Sequence, residues 1–256
     1  MTEPHSQPSA PTEESAEVRA WMERRFLTVV SHQLKSPLVA VRQYLDLLQD
    51  DAAARPEAAH TQPWIGRSIV RLDEALAIVE DWLALARVEA GALIHPGAST
   101  ELTALLEELV GDARDAAAPG QICVHLEHPG VGMCVRGDRS SLAAALSHVI
   151  DNAIRYNRPG GSVFVRCHPP ATDARGPEQA CVEIADSGIG IPHSFLPQLF
   201  QEFHRARSAA SRDIPGTGLG LAISSRIVSE LGGHIAVESV EGEGSTFRLY
   251  LPLAAG

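Results

Sequence analysis

Apolar positions recur at Leu27, Val30, Leu34, Leu38, Val41, Leu45 and Leu48, in steps of three and four that mark one stripe of a long helix. After a polar stretch around Pro56 and Pro63 a second stripe runs Ile65, Ile69, Leu72, Leu76, Val79, Leu83 and Ala86, with Gly91 placed as its C-cap. Two such helices joined by a loop form an antiparallel hairpin, which has too little core to stand alone. Pairing two hairpins gives a four-helix bundle, so a homodimer is expected; packing of the hairpin on its own C-terminal domain is the alternative.

Beyond a Pro- and Gly-bearing linker at 94–100 the texture changes. Helical spacing returns in LTALLEELVGDA, followed by the alternating stretches ICVHLE and GMCVRGD and a helix from about Ser140 whose core face is Leu142, Leu146, Val149 and Ala153. Then come the strands SVFVRC and CVEIAD and a closing helix-strand-strand run from Leu219 to Leu253. Helices interleaved with paired strands predict an α/β two-layer sandwich over 101–254, after a hairpin over 18–93. Residues 1–17, rich in Pro, Ser and Glu without an apolar period, are expected to be a flexible tail. The fold class is therefore α+β.

Charge narrows the partners. A formal net charge of −11 argues against nonspecific binding to nucleic acid or to anionic membranes. No apolar run approaches the roughly 18 residues a spanning helix needs, and MTEPHSQPSA lacks the basic start and apolar body of a signal peptide. A cytoplasmic location is expected. Cys123, Cys134, Cys167 and Cys181 show no metal-ligand spacing and are expected to be reduced core residues.

Three stretches of the second domain carry candidate chemistry. GTGLGLAIS passes from a glycine loop into an apolar helix, so N–H groups around Gly216, Gly218 and Gly220 can approach an anion; a simple tight turn explains it equally. DSGIGIP follows a strand and puts Asp186 at its end, where a carboxylate can accept from an exocyclic amine and Gly188 and Gly190 let a flat ligand approach; alone, a turn-forming Asp is the simpler reading. In SHVIDNAIRYN, spacings of four and three put His148, Asn152 and Arg155 on one flanking stripe, and the Asn152 oxygen suits a Mg²⁺ already bound to phosphates; taken alone, Asn152 and His148 also fit solvated helix-surface residues.

In chain order, SHVIDNAIRYN, DSGIGIP and GTGLGLAIS resemble the N box and the two glycine boxes of the GHKL-type ATP-binding domain, and FLTVVSHQLKSPL resembles the phosphoacceptor box of sensor histidine kinases. LALARVEAG, LFQEFHRA and GGHIAVESVEGEGSTFRLYLP add further matches, so that the resemblance covers about 18–254. It implies ATP and Mg²⁺ as ligands, with Asn152 on the metal and His148 as a second candidate there, where the family often has another Asn. It implies adenine recognition by Asp186, shaping of that pocket by Gly188 and Gly190, and phosphate binding by Gly216, Thr217, Gly218, Leu219 and Gly220. It further extends nucleotide contact to Arg155, Tyr156 and Thr246, and to Arg205 in a lid running from about Phe203 to Pro215, with Arg207 and Arg212 less securely placed.

For His32 the resemblance implies phosphorylation by ATP and transfer to an aspartate of a response regulator receiver domain. The heptad places His32 outward, and neutral imidazole can attack a γ-phosphate at about pH 7 without strong activation. Pro37 removes the hydrogen bond to the Gln33 carbonyl, which predicts a helix bend one turn past His32. The residue after the histidine departs from the family, being Gln33 where an acid is usual; an amide orients the ring but is no general base. Ser36 keeps a hydroxyl near the position that serves dephosphorylation in the family. A dimeric scaffold that binds ATP and a regulator without efficient catalysis is therefore a rival, as is ATP hydrolysis or serine phosphorylation on the same nucleotide fold. No sensor segment is recognisable, which leaves either a separate sensor protein contacting 18–26 or a longer chain.

Overall fold

The computed structural model describes residues 38–39, 41–48, 50, 62–89, 98–130, 132–171, 178–205 and 218–254. His32, Gln33, Ser36, Pro37, Gly91, Gly216 and Thr217 lie outside these residues. The chain divides into two units, Met1–Ala92 and Leu93–Gly256.

In the first unit 41–48 are helical, and α1 runs Gln62–Glu89. Arg42 Nε lies 3.2 Å from Asp73 Oδ1, an ion pair between the two helical segments. Pro63, expected in the loop, instead occupies the first turn of α1, where a missing N–H costs nothing because that donor has no intrahelical acceptor. Leu83 is buried, whereas Val41, Tyr44, Leu47, Leu48, Trp64 and Val70 are exposed.

The second unit contains β1 (Ser99–Glu101), α2 (Leu102–Ala117), β2 (Cys123–Glu127), β3 (Cys134–Arg136), α3 (Arg139–Arg155), β4 (Ser162–Ala171), β5 (Gln179–Asp186), α4 (Gly220–Glu230), β6 (His234–Val240) and β7 (Gly244–Pro252). Five strands form a sheet in the order β2-β4-β5-β7-β6, with β2 parallel to β4 and the other pairs antiparallel. Alternation decides its two faces. Val163, Val165, Ala180, Val182, Ile184, Phe247, Leu249 and Leu251 are buried, together with Leu102, Leu105, Leu106 and Val110 of α2, Leu142, Leu146, Val149 and Ala153 of α3, and Ile223, Ile227 and Val228 of α4. This helix layer on one sheet face is the expected two-layer sandwich.

The opposite face carries a row of alternating charges. Arg166 bridges Glu127 and Glu183 at 3.0 Å each, and Arg248 bridges Glu183 at 2.8 Å and Glu238 at 3.0 Å, so the chain of ion pairs crosses from β2 to β6.

Two expectations change. Ser99 and Thr100, expected in the linker, pair as β1 with Arg136 and Val135 of β3, and the Thr100 hydroxyl donates to the Gly137 carbonyl at 2.9 Å. Three residues are too few to show a period. Glu101 then caps α2, accepting from the Thr103 and Ala104 N–H groups. The C-terminal stretch returns to β3: Leu253 bridges Val135, and the Ala254 N–H donates to the Cys134 carbonyl at 2.9 Å. Of the cysteines, all free, only Cys167 is buried; Cys181 is half-buried, and Cys123 and Cys134 are exposed because each falls on the outward positions of a short strand.

Candidate functional site

The polar groups singled out by sequence gather around the end of β5 and the ends of α3 and α4. Asp186 closes β5, between Val163 of β4 and Ser245 of β7. Its Oδ1 accepts from the Gly188 N–H at 2.8 Å, and the Ser245 N–H also donates to the carboxylate. Burial nevertheless dominates and pushes this carboxyl up to about 6 from an ordinary 3.8.

After Asp186 the chain threads a narrow channel. Ile189 N–H donates to the Tyr156 carbonyl at 3.0 Å, and a Cβ on Gly188 would overlap that same carbonyl. At Gly190 φ is +66°, and a Cβ would overlap the Val240 carbonyl, so only glycine follows this path without displacement. The β6–β7 turn closes the other side: Gly242 N–H donates to Ile189 O at 2.8 Å, and Ile191 N–H donates to Ser239 Oγ at 2.8 Å.

On α3, Asn152 is half-exposed one turn before the helix end, with Tyr156 N–H donating to its carbonyl at 3.0 Å; Arg155 is exposed. His148 lies one turn earlier, its ring packed against Gly220, where a Cβ would sit 3.0 Å from Nδ1. Gly220 opens α4, and the N–H groups of a helix start have no intrahelical acceptor, a position suited to an anion. Leu219 is fully buried, and Gly218, with φ +75°, accepts from the Phe203 N–H at 3.1 Å and lies beside the stem of Arg205. Ser224, one turn into α4, donates its hydroxyl toward the carbonyls of Ala145 and Gly220, each at 2.9 Å, and so seams α3 to α4.

The structure thus brings Tyr156 to Gly188, His148 to Gly220 and Arg205 to Gly218. Thr246 is not brought to Asp186. It pairs with Ala185, and a one-residue step along a strand reverses the face, so Ser245 stands opposite Asp186 instead. Ser245 is buried and could have been found by counting back in twos from the core residue Phe247. Sequence reasoning also passed over Asn157 and Ser187, which hydrogen-bond beneath the glycine channel. Among the described residues no group of three or more His, Cys, Asp or Glu could hold a metal on its own. Asn152, a neutral oxygen donor at the rim, fits an ion that arrives with phosphates.

Residues 137–255 match the family described as histidine kinase-, DNA gyrase B-, and HSP90-like ATPase, and residues 22–91 match the His Kinase A (phospho-acceptor) domain. The sensor histidine kinase AruS of Pseudomonas aeruginosa is 32% identical over 243 residues, which is 94% of this chain and 24% of AruS. Among solved structures, the mycobacterial sensor histidine kinase MprB is 30% identical with a TM-score of 0.53, over 62% of this chain and 100% of that one. Full-length ShkA, solved with AMPPNP, shares the fold at 24% identity and a TM-score of 0.69, over 91% of this chain and 46% of that one. The chain spans from about a quarter to about half the length of the curated relatives it matches.

Proposed function

Since the chain belongs to the sensor histidine kinase family, we propose that it is an ATP-dependent protein-histidine kinase that phosphorylates itself on His32 and passes the phosphoryl group to an aspartate of a response regulator receiver domain. The observation that carries this reading is the half-buried Asp186 carboxylate at a strand end, followed by a glycine-bearing segment held to Tyr156 at the end of α3, the helix that carries Asn152 and whose His148 lies against Gly220 at the start of α4.

Each residue has a task. Asp186 accepts from the adenine amine, and Gly188 and Gly190 let the segment that follows it pass close to the Tyr156 and Val240 carbonyls, which shapes the pocket. The α4 start and the glycine loop before it, Gly216 to Gly220, receive the phosphates, with Arg205 as a further contact and Thr217 and Leu219 shaping the loop. Asn152 would hold Mg²⁺, with His148, one turn earlier on α3, as a second candidate donor, and the ion would neutralise phosphate charge. Phosphoryl transfer asks for positioning and charge neutralisation more than covalent help from the protein. The His32 imidazole supplies the nucleophile, and Gln33 orients the ring.

The exposed apolar side chains of the first unit, Val41, Tyr44, Leu47, Leu48, Trp64 and Val70, support a homodimer through a four-helix bundle. Among the described residues no helix is long and apolar enough to cross a membrane. With the net charge of −11, this supports a cytoplasmic kinase core that does not bind nucleic acid. The stimulus then comes from a separate sensor protein or from a longer chain.

Gln33, in place of an acid, favours a second reading as an ATP-binding dimeric scaffold. ATP labelled on the γ-phosphate separates the two. The kinase reading expects acid-labile, base-stable label that is absent in His32→Ala, and faster labelling in Gln33→Glu. ATP binding without label would establish the scaffold.

A further inference from the structure

Asn157 has no place in the scheme above, yet its side chain makes four hydrogen bonds beside the site. It follows α3, whose last turn it caps: Nδ2 donates to the Ala153 carbonyl at 3.1 Å and to the Ser162 carbonyl at 3.0 Å. Oδ1 accepts from the Arg158 N–H at 2.9 Å and from the Ser187 hydroxyl at 3.3 Å. All of its ordinary hydrogen-bonding capacity is used, by three separate segments. Those segments are the helix that carries Asn152, the first residue of β4, and the glycine channel one residue beyond Asp186.

Ser187 completes the junction. Its Oγ accepts from the Ser162 N–H at 2.9 Å, and its own N–H donates to the Ser162 carbonyl at 3.1 Å. Beside it, Arg158 donates from its guanidinium to the Gly242 carbonyl in the β6–β7 turn, which in turn holds Ile189. Only an amide offers two donors to carbonyls and an acceptor to a hydroxyl at one point. A carboxylate would face the Ala153 and Ser162 carbonyls with like charge, and an aliphatic side chain would leave these half-buried segments unjoined.

We infer that Asn157 is a positioning residue of the nucleotide site: with Ser187 it sets the placement of the adenine-reading carboxylate of Asp186 relative to the metal-bearing end of α3. This rests on the nucleotide-binding reading of the site. Asn157 acts through Asp186 and α3, with its own polar atoms engaged by protein groups. Its effect is on how well the base end and the phosphate end of one ATP can be engaged together.

The test uses the full chain and measures binding of ATP and of inorganic tripolyphosphate, each with Mg²⁺, by calorimetry. Asn157→Ala and Ser187→Ala are expected to weaken ATP by roughly three- to tenfold each and leave tripolyphosphate within a factor of about two. The double variant is expected to lose less than the product of the single losses, since both report one junction. Equal losses for both ligands, or additive ones, would make the junction merely structural and overturn the inference. Unchanged ATP binding in the variants would also overturn it. If Asn157→Ala does not fold, Ser187→Ala carries the same comparison by removing only the arm that reaches the glycine channel. A wild-type chain that binds no ATP would instead overturn the reading on which the inference rests.

Discussion

Two carboxylates on the same strand are shifted in opposite directions, and each leaves a distinct mark on stability. Burial raises Asp186 to about 6, so between about pH 4 and 6 the folded state holds more protons than the unfolded one, and this group's contribution falls as pH rises. Asp186→Asn removes that cost. Without nucleotide, the variant is expected to be more stable than the parent at about pH 7 by at most about 3 kcal/mol, to lose the advantage by about pH 4, and to bind ATP less well. Chemical denaturation across that range checks the slope. Glu183 behaves in reverse: burial pushes its carboxyl up, but the hydrogen bonds from Arg248 and Arg166 outweigh this and hold it below 4.5. Its contribution is present at neutral pH and lost as pH falls through the depressed value. Glu183→Gln is therefore expected to destabilise by about 1–3 kcal/mol at about pH 7 and by progressively less in acid. A difference that stayed constant with pH would remove the ion pairs as its cause.

At the level of elements, what could be read from the sequence followed the length of the period. α2, α3 and the long strands announce themselves through apolar spacing, and Leu142, Leu146, Val149 and Ala153 are buried on the face that spacing selects. β1 does not, because three residues carry no period and its pairing with β3 joins segments far apart in sequence. Asp186 was legible as a strand end followed by glycines, but its partner Ser245 depends on which residue of β7 stands opposite, a register fact. Asn157 was hidden for the same reason: its partners Ser162 and Ser187 come together only when β4, β5 and α3 are assembled. The α3–α4 seam is of this type too. Ser224→Ala is expected to cost about 1 kcal/mol, read as a lower urea midpoint at unchanged slope, because the lost hydroxyl served two backbone carbonyls that keep their helical partners.

For the whole molecule, the apolar side chains left exposed on the first unit are the basis of the proposed homodimer. Val41 and Leu48 are one heptad apart and 47% and 54% exposed. Val41→Glu combined with Leu48→Glu is expected to halve the sedimenting mass and leave ATP affinity of the second unit unchanged, whereas a parent that is already monomeric would end the four-helix proposal. The second unit has a different economy. Ala98 accepts from Gly137, the residue just after β3, and Ala254 donates to Cys134 at the start of β3, so the first and last described residues of this unit are tied to positions only about 10 Å apart along the chain. Topologically that makes the unit a cassette with both connections on one side. A brief bridge between those residues would close it into a ring with each strand still beside its present neighbours, and new ends could then be opened at an exposed turn elsewhere.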